Sequence, residues 1–224
     1  FYKVISYMVV GQKAYALANM GIALSSVMDY PMHSIAIGGP GTGKSRVMDT
    51  VYDLFPTHRK IELYPDTTAN FLLRMTQWKE GSKFFNRKLV SLDDLGDKDE
   101  QKKASALLSV FKVLMSKRMY KKGVADPDEK GKNIEGKILE LIGCGSVFVQ
   151  MVTLSGEPQF GSRAFKWSPH DDSFSREEIK KYQEDELGGD FKEIAYARKR
   201  PVVRCMVDFI YKFVEHWEGT GSRF

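Results

Sequence analysis

The sequence predicts an α/β protein: a three-layer sandwich around a parallel central sheet, with a small helical part at the C-terminal end. Three observations predict it. Apolar runs of strand length alternate with longer runs of helical periodicity. The strand runs are apolar enough to be buried inside a sheet, as parallel strands are. A glycine-rich loop joins the first of them to a helix.

Taken along the chain, residues 12–28 read as a helix, with Ala14, Leu17, Ala18, Ile22 and Leu24 at helical spacing, and Pro31 ends it. Residues 34–37 form a short apolar strand. Residues 44–54 form a helix that stops before Pro56, and residues 60–64 a second strand. Asp66 or Thr67 caps a helix running to about Trp78. Residues 88–92 are a third strand. Residues 103–120 form a long helix with Leu107, Leu108, Phe111, Leu114 and Met115 on its buried side. A polar, glycine-containing stretch covers 123–136, and residues 146–153 are the most strand-like run. An acidic helix is expected from Ser175 and a last helix over 201–217, where Pro201 suits a first turn. The expected division is a helical lead-in over 1–33, a core over 34–170 and a helical segment over 171–224.

The 224 residues are 42% hydrophobic and 28% charged, which supplies a core and excludes a disordered chain. The formal charge of +5 suits a polyanionic partner but decides little alone. Cys144 and Cys205 form no CxxC pair and the histidines are scattered, so neither a zinc site nor a disulfide framework is indicated. No apolar run reaches the roughly 18–20 residues that span a bilayer, and no signal peptide is read. No membrane partner is expected. The expected compartment is reducing and cytoplasmic, that of a host cell if the protein is viral. The chain starts at Phe1, as a fragment of a longer protein would.

Gly38-Gly39-Pro40-Gly41-Thr42-Gly43-Lys44-Ser45 meets the pattern G-x-x-x-x-G-K-[ST] between a strand and a helix. The glycines let the backbone curl so that successive N–H groups face phosphate oxygens. The following helix, entered through Lys44, Ser45 and Arg46, adds its positive dipole end. Lys44 would reach the β and γ phosphates of a nucleoside triphosphate, and the Ser45 hydroxyl would ligate Mg²⁺. ATP is the expected nucleotide. The third strand ends in Asp93-Asp94. Asp93 is the candidate on the metal side and Asp94 the candidate general base toward the attacking water. Asp97 and Asp99 read as surface charges. If the strand over 146–153 lies beside the Asp93 strand, a polar residue at its end would sit near the γ-phosphate. Thr153 is the first choice and Ser155 the second, with Gln150 further down the strand.

Phosphate loop, long spacer, strand ending Asp-Asp, helix, strand with a terminal polar residue, then Ser162-Arg163: this order resembles the AAA+ ATPases. More narrowly, it is similar to the helicase modules of viral, phage and plasmid replication proteins, including superfamily 3 helicases and phage primase–helicases. Asp-Asp in place of the usual Asp-Glu points to that side, as does a first helix ending Leu54-Phe55-Pro56. The likeness covers about residues 34–165. The group places an asparagine at the sensor position, and none ends this strand.

The resemblance implies a P-loop NTPase fold, ATP and Mg²⁺, and a homo-oligomer, a hexameric ring with ATP between subunits. Lys44, Ser45 and Asp93 would come from one subunit and Arg163, as an arginine finger, from the next. It also implies a hairpin between the long helix and the sensor strand that grips nucleic acid, here single-stranded DNA. The matching stretch carries Lys130, Lys132 and Lys137, with Lys117, Arg118, Lys121 and Lys122 around Tyr120 nearby. Arg198, Lys199, Arg200 and Arg204 are a second basic cluster, which a helix start would equally explain. A DNA motor is thus the leading expectation. A small-molecule kinase shares the loop but needs an acceptor lid, often arginine-rich, which 123–136 is not. A non-motor AAA+ switch (loader, initiator or defence ATPase) shares every motif.

Overall fold

A computed structural model describes residues 1–77, 81–95, 98–127, 134–153, 161–169, 177, 180, 181 and 191–219. In chain order the elements are α1 (Tyr2–Ile5), α2 (Lys13–Leu24), β1 (Ser34–Ile37), α3 (Lys44–Asp53), β2 (Lys60–Leu63), α4 (Ala69–Met75), β3 (Leu89–Leu95), α5 (Lys98–Lys117), β4 (Met119–Pro127), β5 (Ile134–Ile142), β6 (Ser146–Met151), β7 (Phe165–Trp167) and α6 (Phe191–Gly219). Five strands form one parallel sheet in the order β2-β3-β6-β1-β7. β4 and β5 form a separate antiparallel hairpin.

The period of two along each strand divides the core into two layers. Ile35, Val90, Leu92, Val147 and Val149 cluster with Leu72 and Leu73 of α4 and Leu107 and Phe111 of α5. Ala36, Leu89, Phe148 and Trp167 cluster with Ala16 of α2, Val47 and Val51 of α3 and Val207 and Tyr211 of α6. Helices therefore cover both faces, as an apolar parallel sheet requires. Each fully buried Leu or Phe contributes about 1.5–3 kcal/mol to that arrangement.

Several boundaries differ from expectation. Thr68, not Asp66 or Thr67, caps α4: its Oγ1 accepts from Phe71 N at 3.1 Å, while Thr67 Oγ1 accepts from Tyr64 N at 3.1 Å. The third strand does not end at Asp93-Asp94 but runs on to Leu95, which is buried and paired with Met151. One extra residue is taken up between Leu92 and Leu95, a bulge against β6. The stretch over 123–136 overlaps a hairpin, whose Leu139 and Leu141 reach the core. β7 was not anticipated. The acidic helix expected from Ser175 lies mostly outside the described residues.

The last helix begins at Phe191, so Pro201 is interior to it rather than in its first turn. Proline supplies no N–H to the Ala197 carbonyl, a cost of about 3 kcal/mol in a free helix. Tyr196 before it and Val203, Val207 and Tyr211 after it bury into the same core, which carries the helix through. The Tyr211 hydroxyl bonds Ser26 Oγ, and the Arg59 guanidinium lies 4.6 Å over the Tyr211 ring while holding Glu215 with two bonds of 2.6 and 3.0 Å. Three residues of the basic cluster on α6 are spent in the same way. Arg200 reaches Asp53 at 3.2 Å, Arg204 Nε donates to the Asp53 carbonyl at 2.7 Å, and Lys199 donates to the Tyr7 hydroxyl at 3.1 Å. Among the described residues, no helix is long and apolar enough to cross a membrane.

His33 precedes β1, is buried, and accepts the Val147 N–H on Nδ1 at 3.3 Å. Burial pushes its pKa down from 6.5 to about 4. A depressed histidine is neutral in the fold, so its contribution is complete above pH 6.5 and is lost as pH falls toward 4. Acidification across that window should cost about 3 kcal/mol through this side chain. Thermal melts from pH 7 to 4.5 should show the loss, and His33→Phe should flatten it. An equally steep fall in the variant would assign the acid sensitivity elsewhere.

Candidate functional site

The glycine loop leaves β1 at the carboxyl edge of the sheet, where open α/β sheets receive ligands. The Gly38 N–H donates to the Met151 carbonyl at 3.1 Å, which pins the start of the loop to the end of β6. Gly41 and Gly43 have φ of +75° and +83°, a conformation that side chains with a Cβ rarely adopt. Gly43 is the N-cap of α3. Thr42 Oγ1 donates to the Gly39 carbonyl at 2.9 Å and closes the turn. A Cβ at Gly39, Gly41 or Gly43 would meet nothing within 4 Å, so these positions face open space rather than packed protein. A curled loop ahead of a ten-residue helix, with open space beside its glycines, leaves room for an anion at the helix N-terminus.

Lys44 opens α3 and is only 4% exposed. Ser45 follows, and its Oγ donates to Gln150 Oε1 at 2.6 Å. Arg46 turns away from the loop: its Nε donates to the Met8 carbonyl at 3.0 Å, tying the N-terminal segment to α3.

The acidic pair occupies the same edge. Leu92 pairs with Val149 and Leu95 with Met151, while Gln150 and Met151 pair with Ala36 and Ile37 just before the loop. Asp93 and Asp94 therefore stand two strands from β1, about 10 Å away by strand spacing. The backbone thus brings the segment of Asp93, the carboxylate expected on the metal side, to the same sheet edge as Ser45.

Thr153 lies past the end of β6 and is exposed, and its carbonyl accepts from Gln101 Nε2 of α5 at 3.0 Å. Within β6, Gln150 is the polar side chain bonded to Ser45. Its signal was available: apart from Ser146 at its start, β6 is otherwise wholly apolar.

Arg163 lies at the opposite edge. Phe165 pairs with Ser34 at the amino end of β1, and Arg163 Nε donates to Ser116 Oγ near the end of α5 at 2.5 Å. The length of β1, about 10 Å, separates that level from the loop.

The hairpin base packs in the core, and the half-buried Tyr120 packs against it. Three of the basic residues have partners on the chain. Arg118 is 3.4 Å from Asp29 and lies over the Tyr30 ring, Lys121 is 3.0 Å from Glu140, and Lys122 donates to Asn70 at 2.9 Å. Lys117 and Lys137 are exposed. Ser155, Asp97, Lys130 and Lys132 lie outside the described residues.

No protein-family model matches the chain, and no curated protein matches its sequence.

Proposed function

We propose that the protein is an ATP-hydrolysing motor of the AAA+ class, a replicative DNA helicase module of a virus, phage or plasmid. The observation that carries this is the open glycine loop at the carboxyl edge of the sheet, with the Asp93-Asp94 segment of β3 two strands away at the same edge. Bound Mg²⁺ would neutralise charge on the transferred phosphoryl group. The chain's own part is to hold the phosphates by the loop N–H groups and Lys44, and to orient the attacking water by Asp94. ATP would sit between the subunits of a homo-oligomeric ring.

Arg163 supports the oligomer. It stands at the far edge from its own loop, so an arginine-finger role would have to be toward the nucleotide of another copy. Arg163→Ala should lower the ATPase kcat by about 10³-fold with nucleotide affinity unchanged. Unchanged turnover at a concentration where the protein is oligomeric would remove the finger assignment.

A second reading, a non-motor switch, gains from the internal pairing of Arg118, Lys121 and Lys122, which leaves fewer cations for a phosphate backbone. ATPase rate with and without single-stranded DNA separates the two. The motor requires stimulation, and a rate indifferent to DNA favours the switch. Chromatography with a slowly hydrolysed ATP analogue tests the ring against a monomeric kinase.

A further inference from the structure

Gln150 carries an amide in a strand whose every residue is buried, and is itself 3% exposed. Such a group is costly to bury unless it is bonded. Its Oε1 takes the Ser45 hydroxyl proton at 2.6 Å across the gap between β6 and α3. Elsewhere in α3 a hydroxyl behaves differently: Thr50 returns its proton to the Arg46 carbonyl one turn earlier, at 2.6 Å. Ser45 bonds across to the sheet instead.

We propose that Gln150 is a positioning residue for the divalent cation that accompanies the nucleotide. It holds the Ser45 proton so that the oxygen lone pairs face the metal. The inference rests on the phosphate-loop reading above and assigns the metal-ligand geometry to a residue outside the loop and the acidic pair. A hydroxyl has one proton and two lone pairs. If it ligates a cation while neutral, the proton must point elsewhere, and an acceptor fixes where. The amide turned over would donate Nε2–H into the Ser45 oxygen and occupy a lone pair. With Oε1 toward Ser45, both lone pairs stay free. The acceptor is also uncharged, so the negative charge near the cation is left to Asp93 and the phosphates.

The test is equilibrium binding of a fluorescent ATP analogue to the full chain, in EDTA and across a Mg²⁺ titration. Gln150→Met keeps the length and removes the acceptor. It should leave binding in EDTA within about 2-fold and raise the Mg²⁺ concentration for half-maximal enhancement by about 10-fold or more, the usual effect of removing a group that orients a metal ligand. Ser45→Ala should show the same defect, and the double variant should be no worse than either single one. Gln150→Glu retains an acceptor and should stay within about 3-fold of the wild-type Mg²⁺ midpoint.

A Gln150→Met protein with the wild-type midpoint overturns the inference. If Gln150→Met does not fold by circular dichroism, Gln150→Asn replaces it. Its shorter arm cannot reach Ser45, so a wild-type midpoint there overturns the inference equally. A wild-type chain that binds no nucleotide sinks the phosphate-loop reading and this inference with it. A wild-type chain that binds normally beside an unaltered Gln150 variant sinks this inference alone.

Discussion

Gly145→Ala should severely destabilise the fold. The residue precedes β6, whose Ser146 pairs with Leu89. A Cβ at Gly145 would stand 1.6 Å from the Lys88 carbonyl oxygen, 2.5 Å from its carbon and 2.6 Å from its nitrogen. All three atoms are backbone, so no rotamer change relieves the clash. Either β3 moves away from β6 or the start of β6 is lost, and both strands sit at the centre of the sheet. The cost should exceed about 4 kcal/mol, a large share of the 5–15 kcal/mol that holds a typical domain together. Urea unfolding followed by circular dichroism measures it. Gly123→Ala is the control, since a Cβ there meets nothing within 4 Å. A Gly145→Ala midpoint close to that of Gly123→Ala would mean that the two strands approach less closely than described.

Lys44→Met should abolish useful nucleotide binding while the fold survives. Methionine keeps most of the aliphatic stem in its buried place at the start of α3 and removes the ammonium. Truncating one partner of a buried, hydrogen-bonded charge pair costs roughly 2–5 kcal/mol, which corresponds to about 30- to 5,000-fold in affinity. Titration calorimetry with ATP and Mg²⁺ reads the loss, and the thermal midpoint of the free protein shows whether folding was spared. An affinity within about 3-fold of wild type would remove the phosphate role from Lys44, and with it the proposed chemistry.

The parts of the site that short-range sterics dictate were legible in the sequence. A turn needing positive φ at Gly41 and Gly43 leaves few residues able to occupy it, and the apolar run Ser34–Ile37 and the helix from Lys44 follow directly on either side. What was not legible depends on pairing across the sheet. Gln150 meets Ser45 only because β6 lies beside β1, a neighbour that sequence position does not reveal. The hairpin was expected only from the resemblance, because the residue pattern hides its strands: Lys121 and Lys122 read as a charge run until Glu140 and Asn70 are beside them. β7 has three residues, of which only Trp167 is buried, too little for a periodic signal. Pro201 misled for a different reason: the apolar face on both sides of it outweighs a broken helical bond.

The strand order also governs how the molecule is made. β1 leaves the ribosome before β2 and β3, yet its two neighbours are β6 and β7, more than a hundred positions later in the chain. During synthesis the phosphate loop therefore hangs from a strand with no lateral support, until nearly the whole sheet has been translated. Distant pairing of this kind is slow and leaves apolar edges open to aggregation. A nascent chain stalled before Ser146 would hold β2 against β3 and leave β1 waiting, a natural client for a chaperone.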